Sequence, residues 1–235
     1  MDSQDPEAMA MVQAIHAGDT TALDRLLSQH PGLASEQVHG TRTPLHVVAD
    51  WPGYFPAGPA TVRLLISAGA DSNAVVTQGT QAETPLHWAA SSDDADVAEA
   101  LISGGADLDR PGGSIGTPLE NAVGCGCWNV AHLLVQHGAP VGKLWLAAAL
   151  GLMPQVEELL AVAPAPSPDD LTEAFWQACH GGQRRSAERL LASGADPDGR
   201  PGYSDQSSAE VAAEPGTQRD NLIAWLHDRQ QNPQN

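Results

Sequence analysis

The feature that most constrains this chain is a repeated opening: "TPLHVVAD" at Thr43, "TPLHWAAS" at Thr84 and "TPLENAVG" at Thr117. Each opening leads to a second apolar segment that closes on glycine: "VRLLISAGADSN", "VAEALISGGADLD" and "VAHLLVQHGAPV". From Thr84 to Thr117 the period is 33 residues. A unit of that length holds two short helices and cannot bury its own apolar faces, so the units must stack on one another.

The chemistry of one copy agrees. Thr84 is placed to cap a helix whose first residue is Pro85, where the missing N–H costs nothing. Leu86, Ala89 and Ala90 then share one helical face, at spacings of three and four. Alanine at two of these positions lets neighbouring helices approach to about 8–10 Å. The second helix presents Val97, Ala100 and Leu101, and Gly104 or Gly105 supplies a left-handed cap. The expected core therefore includes Leu86, Ala89, Ala90 and Leu101, together with Leu64, Leu133, Leu134, Leu190 and Leu191.

The openings and their period resemble the ankyrin repeat. The resemblance implies an all-α fold, an ankyrin-repeat solenoid of stacked helix-turn-helix units. Fainter copies extend it over nearly the whole chain. "MVQAIHAGDTTALDRLLSQHPGL" precedes the clear copies; "LWLAAALGLMPQVEELLAVA", "AFWQACHGGQRRSAERLLASGADPD" and "SSAEVAAEPGTQRDNLIAWLHD" follow them. A single domain over residues 1–235 is expected, of about seven units starting near residues 9, 43, 84, 117, 143, 173 and 207. Residues 230–235 are expected to form a disordered tail.

The spacing is uneven. Thr43 to Thr84 spans 41 residues, because "WPGYFPAGP" (51–59) is inserted between the two helices of one unit and "NAVVTQGTQAE" lengthens the finger after it. From Thr117 to Lys143 the spacing is only 26 residues, so the finger there is nearly absent. By the resemblance, His46 and His87, at the fourth position of their units, are structural hydrogen-bonding groups. Glu120 and Trp176 stand at that position in later units, and their presence removes the regularity.

On the first helix of a unit, positions five, eight and nine lie across from the core positions three, six and seven. By the resemblance that side looks into a concave groove, where such proteins usually bind partners. Asp50 and Trp51, Trp88 and Ser91, Asn121 and Cys125, and Gln177 and His180 all map there. With Tyr54 and Phe55 from the insertion, these ten are the candidate binding residues. Two readings of the aromatic insertion stand. It walls one end of the groove, or its rings fold back over the apolar ends of their own helices.

Charge narrows the partners. The chain carries 29 acidic and 11 basic residues, a formal charge of -18. Such a surface is repelled by nucleic acid and by anionic membranes, and it steers basic partners toward itself. The longest apolar run, "LWLAAALGL", is too short to cross a bilayer, and the acidic first residues do not read as an export signal. Three cysteines fit a reducing compartment better than a disulfide framework. The expectation is an acidic cytoplasmic protein, and a single lysine among the basic residues hints at a GC-rich bacterial genome.

Catalysis finds little footing. Asp50 and His180 stand four units apart, on the order of 40 Å along the stack at about 10 Å per unit, too far for a catalytic pair. No phosphate loop, nucleophile elbow or dinucleotide fingerprint appears. Cys125, Cys127, His132 and His137 lie near one another without a CxxC pair or a known zinc spacing. No catalytic residue is assigned, and neither metal nor cofactor is expected. The favoured function is a binding protein that holds a protein partner in its groove. The alternative is a small-molecule binder or atypical enzyme whose groove is closed by residues 51–59.

Overall fold

Threonine followed by proline starts three helices of the computed structural model, which describes residues 6–38, 41–78, 81–217 and 219–231. The Thr84 N–H donates to His87 Nδ1 at 3.1 Å, and Thr84 Oγ1 lies 2.8 Å from the same nitrogen. Thr43 and His46 repeat the arrangement at 3.3 and 2.8 Å. Thr117 caps differently: its Oγ1 accepts from the Glu120 N–H at 3.3 Å. The chain, which reads in sequence as a single domain, divides into two compact units, Met1–Pro140 and Val141–Asn235.

Among the described residues, the first unit contains four helix pairs. Helix α1 (Pro6–Ala17) precedes α2 (Thr20–Gln29) and a short 3-10 turn at Pro31–Ser35. Then come α3 (Pro44–Ala49) with α4 (Gly58–Ser67), α5 (Pro85–Ser91) with α6 (Ala95–Ser103), and α7 (Pro118–Gly124) with α8 (Trp128–Gln136). Strands β1 (Val76–Gln78) and β2 (Gln81–Glu83) pair antiparallel as the lengthened finger, Val76 opposite Glu83. The fingertip, residues 79 and 80, lies outside the described residues. Asn73 ties neighbouring repeats together: its Nδ2 donates to the Gly105 carbonyl at 2.9 Å, and its Oδ1 accepts from the Asp107 N–H at 2.8 Å. Gly105, at φ +88°, supplies the left-handed turn that follows α6.

The second unit contains α9 (Leu144–Ala149) with α10 (Met153–Leu160), α11 (Pro168–His180) with α12 (Arg184–Ala192), and α13 (Ser208–Ala212) with α14 (Asp220–Gln231). Helix α11 begins at Pro168, ahead of the unit start near residue 173. Ser167 and Asp170 form a reciprocal capping box there, with Ser167 Oγ donating to Asp170 Oδ2 at 2.7 Å and accepting from the Asp170 N–H at 3.1 Å. Helix α14 runs through residues 230 and 231, the start of the expected tail; 232–235 lie outside the described residues. Among the described residues, no helix is long and apolar enough to cross a membrane.

Small residues let the helices close on one another. Leu86, Ala89, Ala90 and Leu101 are buried in the first unit, as Ala174, Phe175, Ala178 and Cys179 are in the second. Among the outer-helix leucines, Leu65, Leu134 and Leu190 are fully buried, whereas Leu64, Leu133 and Leu191 are only half-buried. The expectation that these last three belong to the core is corrected. Successive helical positions differ by about 100°, so one leucine of each adjacent pair points inward and its neighbour lies on the flank.

The fourth position of a repeat needs a second correction. His46 Nε2 lies 3.1 Å from the Glu83 carbonyl, and His87 Nε2 lies 3.1 Å from that of Gly116. Because Nδ1 accepts from the threonine N–H, the ring hydrogen is assigned to Nε2, which donates. Trp176 Nε1 donates to the Gln206 carbonyl at 2.9 Å. Glu83, Gly116 and Gln206 each stand immediately before the next repeat's capping residue, Thr84, Thr117 or Ser207. Trp176 therefore keeps the regularity it was expected to remove, since an indole N–H reaches the same acceptor as an imidazole.

Candidate binding groove

The side of α3 and α5 that faces the finger carries a chain of paired polar groups. Asp50, at the end of α3, lies 2.5 Å from Arg42 Nη1 through Oδ2 and accepts from the Trp51 N–H at 2.9 Å through Oδ1. The Arg42 guanidinium is 5.1 Å from the centre of the Trp88 ring, within cation–π range. His46 meets the same ring edge-on at 5.0 Å. Trp88 Nε1 donates to Glu83 Oε2 at 2.9 Å, and Glu83 Oε1 accepts from the Ser114 N–H at 2.8 Å. Arg42, Asp50, Glu83, Trp88 and Ser114 line an open groove of about 380 Å³ together with Trp51, Ser91 and Ser92.

Asn121 closes the chain from the next repeat. It is fully buried. Its Oδ1 accepts from the Ile115 and Gly116 N–H groups at 3.0 and 3.3 Å. Its Nδ2 donates to Ser91 Oγ at 3.3 Å and Ser114 Oγ at 3.2 Å. Ser91 Oγ donates in turn to the His87 carbonyl at 3.0 Å. Cys125 is exposed, yet the enclosure of its sulfur raises the thiol pKa, with a hydrogen bond to Ser91 opposing. Burial pushes the Cys127 thiol up to about 12. Both thiols thus remain protonated at neutral pH, which makes them poor nucleophiles.

The inserted loop divides its aromatics. Trp51 lines the groove and is 78% exposed. Tyr54 faces the following repeat: its N–H donates to Asp94 Oδ2 at 2.6 Å and its hydroxyl to the Asp93 carbonyl. Phe55 faces the preceding repeat, stacked on His16 with ring centroids 4.7 Å apart and planes 20° from parallel. The fit against the α1–α2 turn is close. A Cβ on Gly18, at φ +65°, would come within 2.3 Å of the Pro56 carbonyl oxygen.

Gln177 and His180 belong to the second unit and form a cluster of their own. Gln177 Nε2 donates to the Tyr203 hydroxyl at 2.9 Å, and its Oε1 lies 3.4 Å from His180 Nδ1. His180 Nε2 is 3.7 Å from Glu214 Oε2; burial lowers the imidazole pKa and Glu214 opposes that shift. Of the histidines near the cysteines, His132 bonds the Trp128 carbonyl at 2.7 Å and His137 bonds Glu99 at 2.8 Å. Among the described residues, no group of three or more His, Cys, Asp or Glu could hold a metal ion.

Helical positions alone omit Arg42 and Glu83 from the groove. Both immediately precede a threonine–proline start, where the finger enters the helix, and that adjacency was the available signal.

Residues 55–143 match the family model for ankyrin repeats, in three copies. The transient receptor potential cation channel subfamily A member 1 of Drosophila melanogaster is 28% identical over 132 residues, which is 54% of this chain and 10% of that protein. The chain thus spans only a tenth of that relative's length. Among solved structures, the human ASB11 ankyrin repeat domain shares the fold at a TM-score of 0.56 and 20% identity, covering 96% of this chain and 98% of that one. Ankyrin repeats are generally protein–protein interaction modules. By its matched copies over residues 55–143, its capped helix pairs and its hairpin finger, the chain has the all-α ankyrin-repeat fold.

Proposed function

We propose that the groove of the first unit binds a segment of a protein partner and that Trp51 anchors it. The observation that carries this reading is the contrast between Trp51 and its surroundings. Asp50, Glu83, Ser91 and Asn121 are already hydrogen-bonded within the protein, so they shape the groove more than they supply new binding energy. The Trp51 indole is 78% exposed, and covering such a ring is worth about 2 kcal/mol or more at an interface. The internal pairing of the polar groups favours a peptide segment over a small ligand, which needs convergent polar groups to orient it.

Charge supports a basic partner. Residues 1–140 hold 16 acidic and 4 basic residues, a formal charge of -12. A field of that sign speeds the encounter with cationic segments and weakens with salt. The test is selection of peptides from a random displayed library on the intact protein, then affinity and melting measurements on Trp51→Ala. The expected outcome is enrichment of Lys- and Arg-bearing peptides whose affinity falls about 30-fold or more in the variant, with the melting temperature unchanged. Unchanged affinity with a lowered melting temperature would retire the reading.

A further inference from the structure

We infer that the second unit docks a short acidic segment of a protein partner, held by Arg185 and Arg219 across successive turns of the stack. Each turn joins the two helices of one pair, at residues 150–152, 181–183 and 213–219. An open groove of about 350 Å³ runs along them. Arg184, Arg185 and Arg219 line it, and no acidic residue among the described ones does. The chain has 29 acidic residues and only 11 basic ones, so a groove with three arginines and no carboxylate reverses the sign of its surroundings. Trp51 and the first-unit groove play no part in this docking.

The three arginines differ in what already holds them. Arg184 Nε pairs with Glu188 Oε1 at 2.8 Å, its Nη1 donates to the Asn221 carbonyl at 3.2 Å, and its guanidinium lies 5.7 Å from the centre of the Trp225 ring. Arg184 therefore shapes the wall. Arg185 and Arg219 are the binding charges. Both are exposed, and among the described residues neither guanidinium has an ion pair or hydrogen bond. Arg219 is nevertheless placed, because its stem runs over Gly182. A Cβ on Gly182 would lie 3.1 Å from Arg219 Cγ and 2.4 Å from the Thr217 carbonyl oxygen. A guanidinium has five donors in a planar fork, which matches a carboxylate edge.

The first unit displays the chemistry that this position takes. The turn between α5 and α6 has its left-handed residue at Asp93, φ +54°; the equivalent residues are Gly151 at +69° and Gly182 at +70°. Asp93 Oδ2 accepts from Asn129 Nδ2 at 2.7 Å and its Oδ1 from the Val130 N–H at 3.0 Å, the second and third residues of α8 in the next pair. The same step leads from Gly151 to Arg185 and Ser186 of α12, and from Gly182 to Asn221 of α14. All five line the groove. A carboxylate built into the first unit is thus absent from two successive turns of the second. Neighbouring pairs stack about 10 Å apart, which about three extended residues span, so the fitting segment has an acidic residue at every third position. The net charge of -18 repels a long polyanion, but its field is screened beyond about 8 Å at physiological salt. A few carboxylates then answer to the local arginines.

The test is an NMR titration of the full chain with the peptide Glu-Gly-Gly-Glu-Gly-Gly-Glu, blocked at both ends, beside its glutamine counterpart and a thymidine oligonucleotide. Saturable shifts around residues 151–153, 182–186 and 219–221 are expected with the glutamate peptide alone. Arg185→Gln combined with Arg219→Gln should weaken that binding about ten-fold and leave the melting temperature unchanged, since neither side chain holds a bond in the fold. Gly151→Asp should supply the carboxylate from within, as Asp93 does, and also weaken the peptide. Gly151→Asn has the same shape and displaces the same Gln183 side chain, 2.4 Å from the added Cβ, yet should weaken the peptide far less. Equal losses in those two variants, full affinity in the double arginine variant, or an equal response to the glutamine peptide would overturn the site. A stronger response to the oligonucleotide would overturn it as well, as would self-association of the free protein that the double variant abolishes, because either gives the groove another occupant.

Discussion

His87 in the first unit and Trp176 in the second occupy one position of the repeat and donate to equivalent carbonyls, at 3.1 and 2.9 Å. They differ in what else they do. His87, through Nδ1, also satisfies the N–H of its own capping residue, Thr84, whereas α11 is capped separately by Ser167 and Asp170. The repeat therefore contains two separable tasks, starting a helix and tying it to the next finger. Histidine joins the tasks in one ring; in α11 they fall to separate residues, Ser167 and Asp170 for the start and Trp176 for the tie. Asn121 shows a third arrangement, gripping the finger ahead of its own helix through the Ile115 and Gly116 N–H groups.

The largest expected consequence is a difference in acid response. The paired roles of its two nitrogens hold each histidine neutral. Burial pulls His46 down to about 4 from the ordinary 6.5, with the hydrogen bond to Glu83 opposing, and it lowers His87 as well. Between those values the unfolded chain binds the proton and the folded chain does not, so stability falls as pH drops through the window. The contribution is fully present above about 6.5 and lost toward 4; for His46 it amounts to roughly 3 kcal/mol. Trp176 does not titrate. The second unit does hold His180, also lowered by burial, with Glu214 opposing. Hydrogen exchange corrected for intrinsic rates, compared at pH 7 and pH 5, should show α3 and α5 losing more protection than α11. Equal losses would break the comparison.

A smaller effect separates the two tasks directly. His87→Phe removes the cap contact and the cross-repeat bond together, and should cost roughly 2–3 kcal/mol. Trp176→Phe keeps most of the ring but leaves the Gln206 carbonyl without its indole donor, and should cost about 1 kcal/mol. Chemical denaturation of both variants measures the difference. Equal costs would mean that the histidine's Nδ1 contact contributes nothing and that the tasks do not separate.

What was legible in the sequence is what depends on neighbours in the chain. Thr84 before Pro85, the spacing of Leu86, Ala89 and Ala90, and the glycine after α6 follow from local propensity and period, and each took its expected place. The fold class followed from those. Contacts across repeats were less legible, because residue type does not encode reach. The Trp176 bond spans 30 residues, and Phe55 meets His16 in an earlier repeat. The leucine pairs failed for a narrower reason, since two adjacent apolar residues do not fix the rotation of a short helix. At α11 the repeat period places the unit start near residue 173, whereas the local cap of Ser167 and Asp170 starts the helix at Pro168. In the groove, helical phase found Asp50, Trp51, Trp88 and Ser91, but the finger's approach brought in Arg42 and Glu83.

The smallest expected effect tests the division of labour within residues 51–59. Tyr54 is 60% exposed, so its ring contributes little burial, but its hydroxyl reaches the Asp93 carbonyl in the following repeat. Tyr54→Phe removes that one bond from a partly solvated site and should cost about 0.5–1 kcal/mol, with no change in peptide affinity. The backbone bond from Tyr54 to Asp94 would survive, and Phe55 would still hold the loop against His16. Trp51→Ala should show the reverse pattern, with unchanged stability and weakened binding. The pair of variants thus asks whether one short loop keeps its attachment and its recognition in different side chains. If Tyr54→Phe weakens peptide binding as much as Trp51→Ala does, the loop acts as a unit, and the position of Trp51 depends on the docking of Tyr54.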